Sequence, residues 1–289
     1  MVSAQREFEF TSADFERIRG LIYQRAGITL NVSKEQMVYS RLARRLRARG
    51  MSRFSDYLAL LEKNDPVEWE EFTNSLTTNL TSFFRESHHF HTLAEYVRGL
   101  QVNRPISLWC SACSTGEEAY SLAMTMADLF GSLTPPVQIL ATDVDTQVLH
   151  QAEQASYPAD RLQQLPPDKL KRYFVKAPGA DAACARPELR KLITFRKVNL
   201  LDAIWPVRGP FDAIFCRNVM IYFDKDTQYA ILRKFVPLLQ PHGLLFAGHS
   251  ENFFHAADLF KPKGKTVYEL AAQGQAHTDK GKLLSQGGR

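Results

Sequence analysis

ISLWCSACSTGEEAYSLAMTM, residues 106–126, decides the fold. Its first four residues form an apolar run, residues 110–116 are mostly small, and from Glu117 apolar residues recur at three- and four-residue steps, as in an amphipathic helix. Strand, small-residue loop and helix in this order are typical of the first unit of a nucleotide-binding α/β sheet. Gly116 is expected to relax the turn into the helix.

The same loop limits the class of ligand. No Lys-Ser or Lys-Thr follows Gly116, so the loop is not a phosphate-cradling P-loop, and no G-x-G-x-x-G fingerprint occurs in it. Glu117 and Glu118 suit the start of a helix but would repel a phosphate there. A ligand that is neutral or cationic near the loop is favoured, and S-adenosylmethionine fits. The alternative is that both glutamates are only ordinary first-turn residues.

Composition restricts the class of protein. A chain of 289 residues with 45% hydrophobic content is long enough for a large domain with or without a small one. The sequence contains no run of about 18 apolar residues, so no membrane span is predicted. The first ten residues, MVSAQREFEF, have no signal-peptide core, so a cytoplasmic location is expected. The net charge of +5 suits an acidic partner.

No metal site is predicted. Cys110 and Cys113 form a C-x-x-C, but no second pair completes a zinc site, and the four cysteines give no disulfide framework. His88, His89 and His91 have no supporting carboxylate or cysteine pattern, so they are interpreted as surface histidines of a helix.

Residues 1–95 are predicted to form an all-helical N-terminal domain with a linker. Thr11 is a candidate helix N-cap, and Ser33 with Gln36 is a candidate capping box. In the helix predicted over 34–49, apolar residues share one side.

The same helix carries five arginines within nine residues. Arg41, Arg44 and Arg47 lie away from the apolar stripe, with Arg45 and Arg49 at its edges. Because arginine suits bidentate contacts with carboxylates or phosphates, a binding surface is favoured over a merely solvated face.

The stretch TTNLTSFFRES, residues 77–87, is polar, then aromatic, then basic. Asn79 and Thr81 can form hydrogen bonds, and Arg85 brings a fixed charge. The alternative is that this stretch is only a linker between domains.

Polar residues also follow later predicted strands. Asp143 ends the second strand about 25 residues beyond the loop, near where a carboxylate binds ribose hydroxyls in such folds. Because the carboxyl ends of parallel strands line one crevice, a single site is predicted from residues 113–117, Asp143, Asn199, Arg217, Asn218 and Tyr222.

Residues 157–191 break the α/β alternation with five prolines and the stretch PGADAACA. A small lobe inserted at about 158–195 is therefore predicted within a sheet domain that spans 96–272. Residues 273–289 are polar and Gly-rich, and disorder is predicted for them.

The motifs STGEEAYS, ATDVD, VNLLD, FDAIFCRNVMIYFD and GLLFAGHSEN strongly resemble those of the chemotaxis receptor glutamate methyltransferases of the CheR type. The resemblance covers about residues 8–270. It implies an α/β fold: a Rossmann-like methyltransferase sheet with helices on both faces, preceded by an all-helical domain and carrying a small inserted β lobe.

The resemblance also implies an activity. Methyl groups would pass from S-adenosylmethionine to glutamate carboxylates on cytoplasmic chemoreceptor helices, which gives methyl esters in chemotaxis adaptation and leaves S-adenosylhomocysteine. A monomer is expected, without nucleic acid and without insertion into the membrane. The loop at 177–187 looks short, which favours action without a receptor C-terminal pentapeptide.

By motif match, the resemblance assigns roles to residues. Arg85 and Tyr222 would lie nearest the methyl group as catalytic residues. Arg41, Arg44 and Arg47 are not part of that match; from their spacing on the basic helix, they are predicted to dock the acidic receptor helices that the resemblance implies. The cofactor contacts would be Asn79, Thr81, Arg85, Glu117, Asp143, Asn199, Leu200, Arg217 and Asn218.

Two alternatives stay open. A nucleic-acid methyltransferase is suggested by the basic helix, but amino-methylating DNA enzymes carry Asp/Asn-Pro-Pro-Tyr where this chain has RNVMIY. A receptor-binding adaptor without catalysis would keep the fold, but the intact site residues argue against it.

Overall fold

The computed structural model describes residues 6–176 and 181–271. The chain divides into two compact units, Met1–Thr78 with Val144–Thr146, and Asn79–Asp143 with Gln147–Arg289. The predicted N-terminal range, 1–95, extends past the first unit, because residues 79–95 belong to the second. The tail for which disorder is predicted, 273–289, lies outside the described residues.

The first unit is helical. Its helices are α1 (Ser12–Ala26), α2 (Glu35–Ala48), α3 (Phe54–Glu62) and α4 (Pro66–Leu76). Buried Ile18, Leu42, Leu58 and Phe72, one from each helix, belong to its hydrophobic core. The carboxylate of Glu68 also lies inside and accepts hydrogen bonds from Arg45, Arg49 and Tyr57, which ties α4 to α2 and α3.

One of the two predicted helix caps is confirmed. Thr11 caps α1 in a capping box with Asp14. The prediction for Ser33 and Gln36 is wrong, because a 3₁₀ turn, Val32–Lys34, precedes α2 and the Ser33 hydroxyl bonds Asn31 instead.

The second unit contains an α/β sheet with an inserted lobe. Its helices are α5 (His88–Gly99), α6 (Glu117–Phe130), α7 (Thr146–Gln154, beginning at the first unit's Thr146), α8 (Ala159–Leu162), α9 (Pro167–Tyr173), α10 (Pro187–Arg190) and α11 (Lys225–Phe235). The main-sheet strands are β1 (Ile106–Cys110), β2 (Val137–Asp143), β6 (Ile193–Lys197), β7 (Phe211–Phe215), β8 (Leu239–Phe246), β9 (Phe260–Gly264) and β10 (Val267–Leu270). The lobe strands are β3 (Ser156–Pro158), β4 (Phe174–Lys176) and β5 (Ala182–Ala185).

The main sheet has the strand order β6-β2-β1-β7-β8-β10-β9. The strands from β6 to β8 are parallel, and β10 is antiparallel to both of its neighbours. From β1 the chain continues towards β6 on one side, and from β7 it continues towards β8 on the other. The order therefore reverses between β1 and β7, which is where ligands bind in open α/β sheets.

Alternating residues of the central strands build a core on each face of the sheet. Leu108 and Phe215 pack in the cluster that contains Leu93 of α5 and Ala123 of α6. Trp109 packs in the other, which contains residues of α11. Helices therefore cover both faces, as the sequence predicts.

Among the residues that the structure describes, no helix combines the length and apolarity that a membrane span requires.

Two local predictions need correction. Strand β9 is missed by the sequence analysis, because its lysines and Pro262 do not follow the alternation of a buried strand; such residues are tolerated at the edge position that it occupies. The lobe segment treated as a loop, 177–187, contains β5, which pairs with β3 and β4, and the start of α10. Residues 177–180 of that segment lie outside the described part.

Candidate active site

The loop between β1 and α6 is fixed from both sides. The Ser111 amide donates to the Phe215 carbonyl of β7 at 2.8 Å, and the Cys113 amide donates to the Thr142 carbonyl of β2 at 2.9 Å. Gly116 has φ +96°, and a Cβ there would lie 2.9 Å from the Ala152 Cβ. The position requires glycine for its conformation and for space, as the sequence predicts.

Asp143 ends β2 beside this loop. Its Oδ2 accepts a hydrogen bond from the Ser114 amide at 2.8 Å, and the residue is buried. The carboxylate therefore holds the loop at the place where the sequence expects it to meet a ribose.

Glu117 is buried and has polar partners at the start of α6. Thr115 donates to its Oε2 at 2.6 Å, and Arg161 of α8 donates to its Oε1 at 3.2 Å. Glu117 is thus more than a first-turn residue, since it joins the inserted lobe to the loop.

Arg217 follows β7 and lies at the centre of an ionic cluster. Its guanidinium donates to Glu118 at 2.5 Å and to the Arg85 carbonyl at 2.6 Å, and it lies 3.3 Å from Glu86. Burial alone would lower the pKa of Arg217, but the two glutamates raise it. Burial alone would raise the pKa of Glu86, whereas Arg217 and His249 lower it to about 2. Arg217 and Glu86 are therefore ionised at neutral pH.

Asn218 adopts a left-handed conformation, with φ +58°. Its amide donates to Glu251 at 2.9 Å, and the same carboxylate bonds the amides of Met220 and Gly248. Glu251 thereby joins the loops that leave β7 and β8.

The segment that begins at Asn79 lies against the β1–α6 loop. The Ser114 hydroxyl donates to the Asn79 carbonyl at 3.1 Å, and Arg161 donates to the Thr81 carbonyl at 3.4 Å. Arg85 is half-buried, and its side chain bonds the Leu80 carbonyl at 2.9 Å. This segment therefore belongs to the site edge and is more than a linker.

The remaining predicted residues differ in position. Tyr222 is half-buried at the end of the 3₁₀ turn Met220–Tyr222. Asn199 and Leu200 follow β6, two strands away from β1. The Leu200 side chain packs in the core, and the Leu200 carbonyl accepts a hydrogen bond from Lys234 at 2.8 Å.

Residues 13–77 match the family model described as CheR methyltransferase, all-alpha domain, and residues 79–268 match CheR methyltransferase, SAM binding domain. This chain belongs to the CheR methyltransferase family. The resemblance predicted from the motifs is confirmed.

Curated relatives of this CheR methyltransferase align over nearly their whole length. Chemotaxis protein methyltransferase 2 of Pseudomonas aeruginosa is 51% identical over 273 residues, which cover 93% of this chain and 97% of that protein. The chemotaxis protein methyltransferase of Klebsiella aerogenes is 53% identical over 93% of each chain. That of Escherichia coli is 52% identical over 90% of this chain and 92% of its own length.

The CheR site fits S-adenosylmethionine chemically. Glu117 and Asp143 supply negative charge on either side of the loop that ends at Gly116. A cofactor with sulfonium and ammonium groups suits such a surface better than a phosphate does.

Buried thiols supply no nucleophile or base to the CheR site. Burial raises the pKa of Cys110, Cys113 and Cys216, and the nearby carboxylates raise it further. These cysteines stay protonated and act as small core residues.

The CheR chain also places Glu86, His88 and His89 close together, with one potential ligand atom of each within 4.8 Å of the others. The interpretation of His89 as a surface residue is wrong, since it is 0% exposed and its Nε2 lies 2.8 Å from the Lys265 carbonyl. Burial lowers its pKa to about 4. Arg217 beside Glu86 and the positive end of α5 oppose a cation at this position.

Three glutamates of the CheR site are absent from the sequence-based list: Glu86, Glu118 and Glu251. Each lies within or next to a motif that was singled out. The arginine in CRN could have indicated Glu86 and Glu118, because a guanidinium that follows a buried strand requires carboxylate partners, whereas Glu251 bonds backbone amides and has no such signal.

Proposed function

We propose that this CheR methyltransferase transfers the methyl group of S-adenosylmethionine to glutamate carboxylates on cytoplasmic chemoreceptor helices. The products are glutamate methyl esters and S-adenosylhomocysteine. The protein acts in the cytoplasm as a monomer and needs no nucleic acid, membrane insertion or metal.

The observation that carries this proposal is the ordered match of both family domains along one chain. Relatives at 51–53% identity, aligned over nearly their whole length, are named chemotaxis protein methyltransferases. Their named role supports chemoreceptors as the substrates of this chain.

A glutamate acceptor agrees with the chemistry of the site. A glutamate carboxylate has an ordinary pKa near 4.3 and is already an anion at neutral pH. It therefore needs no general base. This agrees with buried cysteines that stay protonated and with a His89 that is buried and has a pKa of about 4. The cofactor supplies the activated methyl group, and the protein must align the acceptor and exclude water.

We assign the positioning of the acceptor to Arg85 and Tyr222, which come from different segments of the second unit. Tyr222 orients the carboxylate through its hydroxyl. Arg85 leaves the Leu80 carbonyl to orient the cofactor or the acceptor. A guanidinium too close to the nucleophile would weaken it, so positioning is the better role.

The proposed cofactor contacts include residues that meet the cofactor directly and residues that act mainly by holding others in place. Asp143 and the backbone of Leu200 meet the cofactor directly, and Arg217 acts mainly by holding Arg85 and Glu118 in place. The complete set is Asn79, Thr81, Arg85, Glu117, Asp143, Asn199, Leu200, Arg217 and Asn218.

The first unit supplies receptor docking through α2. Arg44 is exposed and forms no ion pair within the described ranges, and Arg47 pairs only with exposed Glu7. Arg41 is less available, because it donates to the Ser75 and Thr77 carbonyls. Docking therefore depends mainly on Arg44 and Arg47.

The direct test is transfer of labelled methyl groups to chemoreceptor cytoplasmic fragments. We expect label that alkali releases as methanol, because esters hydrolyse under mild base and methylated amines do not. A fragment with glutamine at the acceptor positions is the control. Alkali-stable label, or equal labelling of both fragments, would contradict glutamate esterification.

A further inference from the structure

The carboxylate of Glu251 lies inside the second unit and is 5% exposed. Its Oε2 accepts hydrogen bonds from the Asn218 amide at 2.9 Å and from the Gly248 amide, and its Oε1 accepts one from the Met220 amide at 2.8 Å. No lysine or arginine pairs with Glu251 within residues 6–176 and 181–271. Its partners are backbone donors from two loops.

These donors come from neighbouring strand ends. Asn218 and Met220 follow β7, and Gly248 follows β8. The two loops approach so closely that a Cβ at Gly248 would lie 2.3 Å from the Asn218 side-chain nitrogen. Asn218 is also held in the left-handed region. Glu251 therefore fixes a tight junction at the carboxyl edge of the sheet.

We propose that Glu251 is a positioning residue for methyl transfer: it fixes the Asn218 amide and the turn Met220–Tyr222, so that Tyr222 meets the acceptor in a constant orientation. The inference rests on the proposed function only for the role of Tyr222. The residue touches neither cofactor nor acceptor and acts through the two loops.

A neutral side chain cannot replace this carboxylate fully. The N–H groups of Asn218, Met220 and Gly248 converge on two oxygens, and both oxygens accept. Glutamine of the same length keeps one acceptor, and its NH₂ group would face an amide N–H. Aspartate keeps the charge but is one methylene too short to reach both loops.

Protonation would have a similar effect to the glutamine substitution. Burial raises the pKa of Glu251, although the backbone donors oppose this rise. The titratable groups beside it are the Cys216 thiol and the Tyr268 phenol, both with raised pKa values, so both stay neutral at acid pH. The rate should therefore fall as the pH decreases through the raised pKa of Glu251.

The test compares Glu251→Gln and Glu251→Asp with Glu269→Gln, a control on β10 whose carboxylate pairs with Lys261 and Lys263. At saturating cofactor and well below each unfolding midpoint, we expect Glu251→Gln to reduce the single-turnover rate about tenfold to hundredfold. The KM for the receptor fragment should stay within about twofold, and the rate should then fall with acid only as the acceptor glutamate itself protonates, near its ordinary pKa of about 4.3. Glu269→Gln should match wild type.

Two measurements need no receptor. Amide hydrogen exchange of segments 216–222 and 247–252 should accelerate in Glu251→Gln alone, and S-adenosylhomocysteine should bind at least about threefold more weakly. If Glu251→Gln shows both effects but the wild type fails to methylate receptor, the proposed function is overturned and the positioning role stands. Unchanged exchange, or a wild-type transfer rate in folded Glu251→Gln, would overturn the positioning role.

Discussion

The Arg217 guanidinium lies 2.5 Å from the Glu118 carboxylate, and both side chains are largely enclosed. Through its other terminal nitrogen, Arg217 donates to the Arg85 carbonyl at 2.6 Å. One side chain after β7 thus fixes the start of α6 and the segment that carries Arg85. Its charge is matched by the glutamates of this cluster.

Replacing Arg217 should therefore destabilise the second unit. Arg217→Gln leaves Glu86 and Glu118 as buried charges without their cation, which should lower the free energy of unfolding by about 3–5 kcal/mol. Glu118→Gln leaves Arg217 with Glu86 and should cost about 1–3 kcal/mol. Urea unfolding measures both. Exposed Arg196→Gln is the control, and equal stability of the Arg217 and Arg196 variants would contradict the cluster's role.

Substitutions of Asp143 can separate two roles of its carboxylate, namely holding the β1–α6 loop and binding the ribose of the cofactor. Asp143→Ala removes the acceptor for the Ser114 amide and the charge, whereas Asp143→Asn keeps an acceptor oxygen. If the carboxylate binds ribose, both variants should weaken S-adenosylhomocysteine binding by about 1.5–3 kcal/mol in calorimetry. Asp202→Asn, at an exposed aspartate, should bind normally. Wild-type affinity in Asp143→Asn would limit Asp143 to holding the loop.

The fold can be predicted well from the sequence, because the prediction depends on local periodicity. The strand, the loop with Gly116 and α6 lie within one short stretch, and the carboxyl-edge rule then places Asp143 and Arg217. Glu251 could not be assigned in this way. Its role depends on the close approach of two loops that are distant in sequence, and on the left-handed Asn218.

The two wrong predictions, for His89 and for the capping box at Ser33, also depend on contacts that the sequence pattern does not show. Histidine is intermediate in hydrophobicity, so its sequence neighbours do not show that His89 is enclosed and bonded to the distant Lys265 carbonyl. The capping box at Ser33 fails because a preceding 3₁₀ turn offers the hydroxyl a closer partner. Both outcomes depend on tertiary contacts and local alternatives that residue spacing does not encode.

Tyr222→Phe should lower the rate of methyl transfer more than it weakens cofactor binding. The substitution removes one hydroxyl from a turn held by Glu251 and leaves the ring in place. We expect a single-turnover rate reduced about tenfold or more, with S-adenosylhomocysteine affinity unchanged. Tyr229→Phe, which loses only a surface bond to Asp258, is the control. A wild-type rate would show that Tyr222 serves only in packing.

His89 should make the second unit sensitive to acid. Its folded pKa is about 4, against an ordinary value of 6.5, so the unfolded chain binds more protons between these pH values. His89 should therefore reduce stability by about 3 kcal/mol as the pH falls from 7 to 4. The lowered pKa of Glu86 continues this loss towards pH 2.

The measurement is urea unfolding across this pH range. His89→Gln can keep a donor to the Lys265 carbonyl and should give a flatter dependence between pH 6.5 and 4. His91→Gln, an exposed neighbour on α5, should behave as wild type. Equal slopes in all three proteins would exclude a buried neutral His89.

Receptor docking by α2 should depend on charge and on salt. Chemoreceptor stalks, as implied by the family, are helices with glutamates along one face, which arginines at three-residue spacing can meet. Exposed pairs contribute only about 0.2–1 kcal/mol each, so several must act together, and salt screens them. Reversing Arg44 and Arg47 to Glu should therefore reduce receptor methylation at low salt and leave cofactor affinity intact.

The ion pair between Arg47 and Glu7 sharpens this test. Glu7→Gln releases Arg47 from its internal partner, so it should raise methylation at low salt, whereas Arg44→Glu alone should lower it. Arg17→Glu, at an exposed arginine of α1, is the control. All differences should shrink as ionic strength rises, because the wild type loses its electrostatic advantage. Normal low-salt methylation by the double variant of Arg44 and Arg47 would leave α2 as a solvated face.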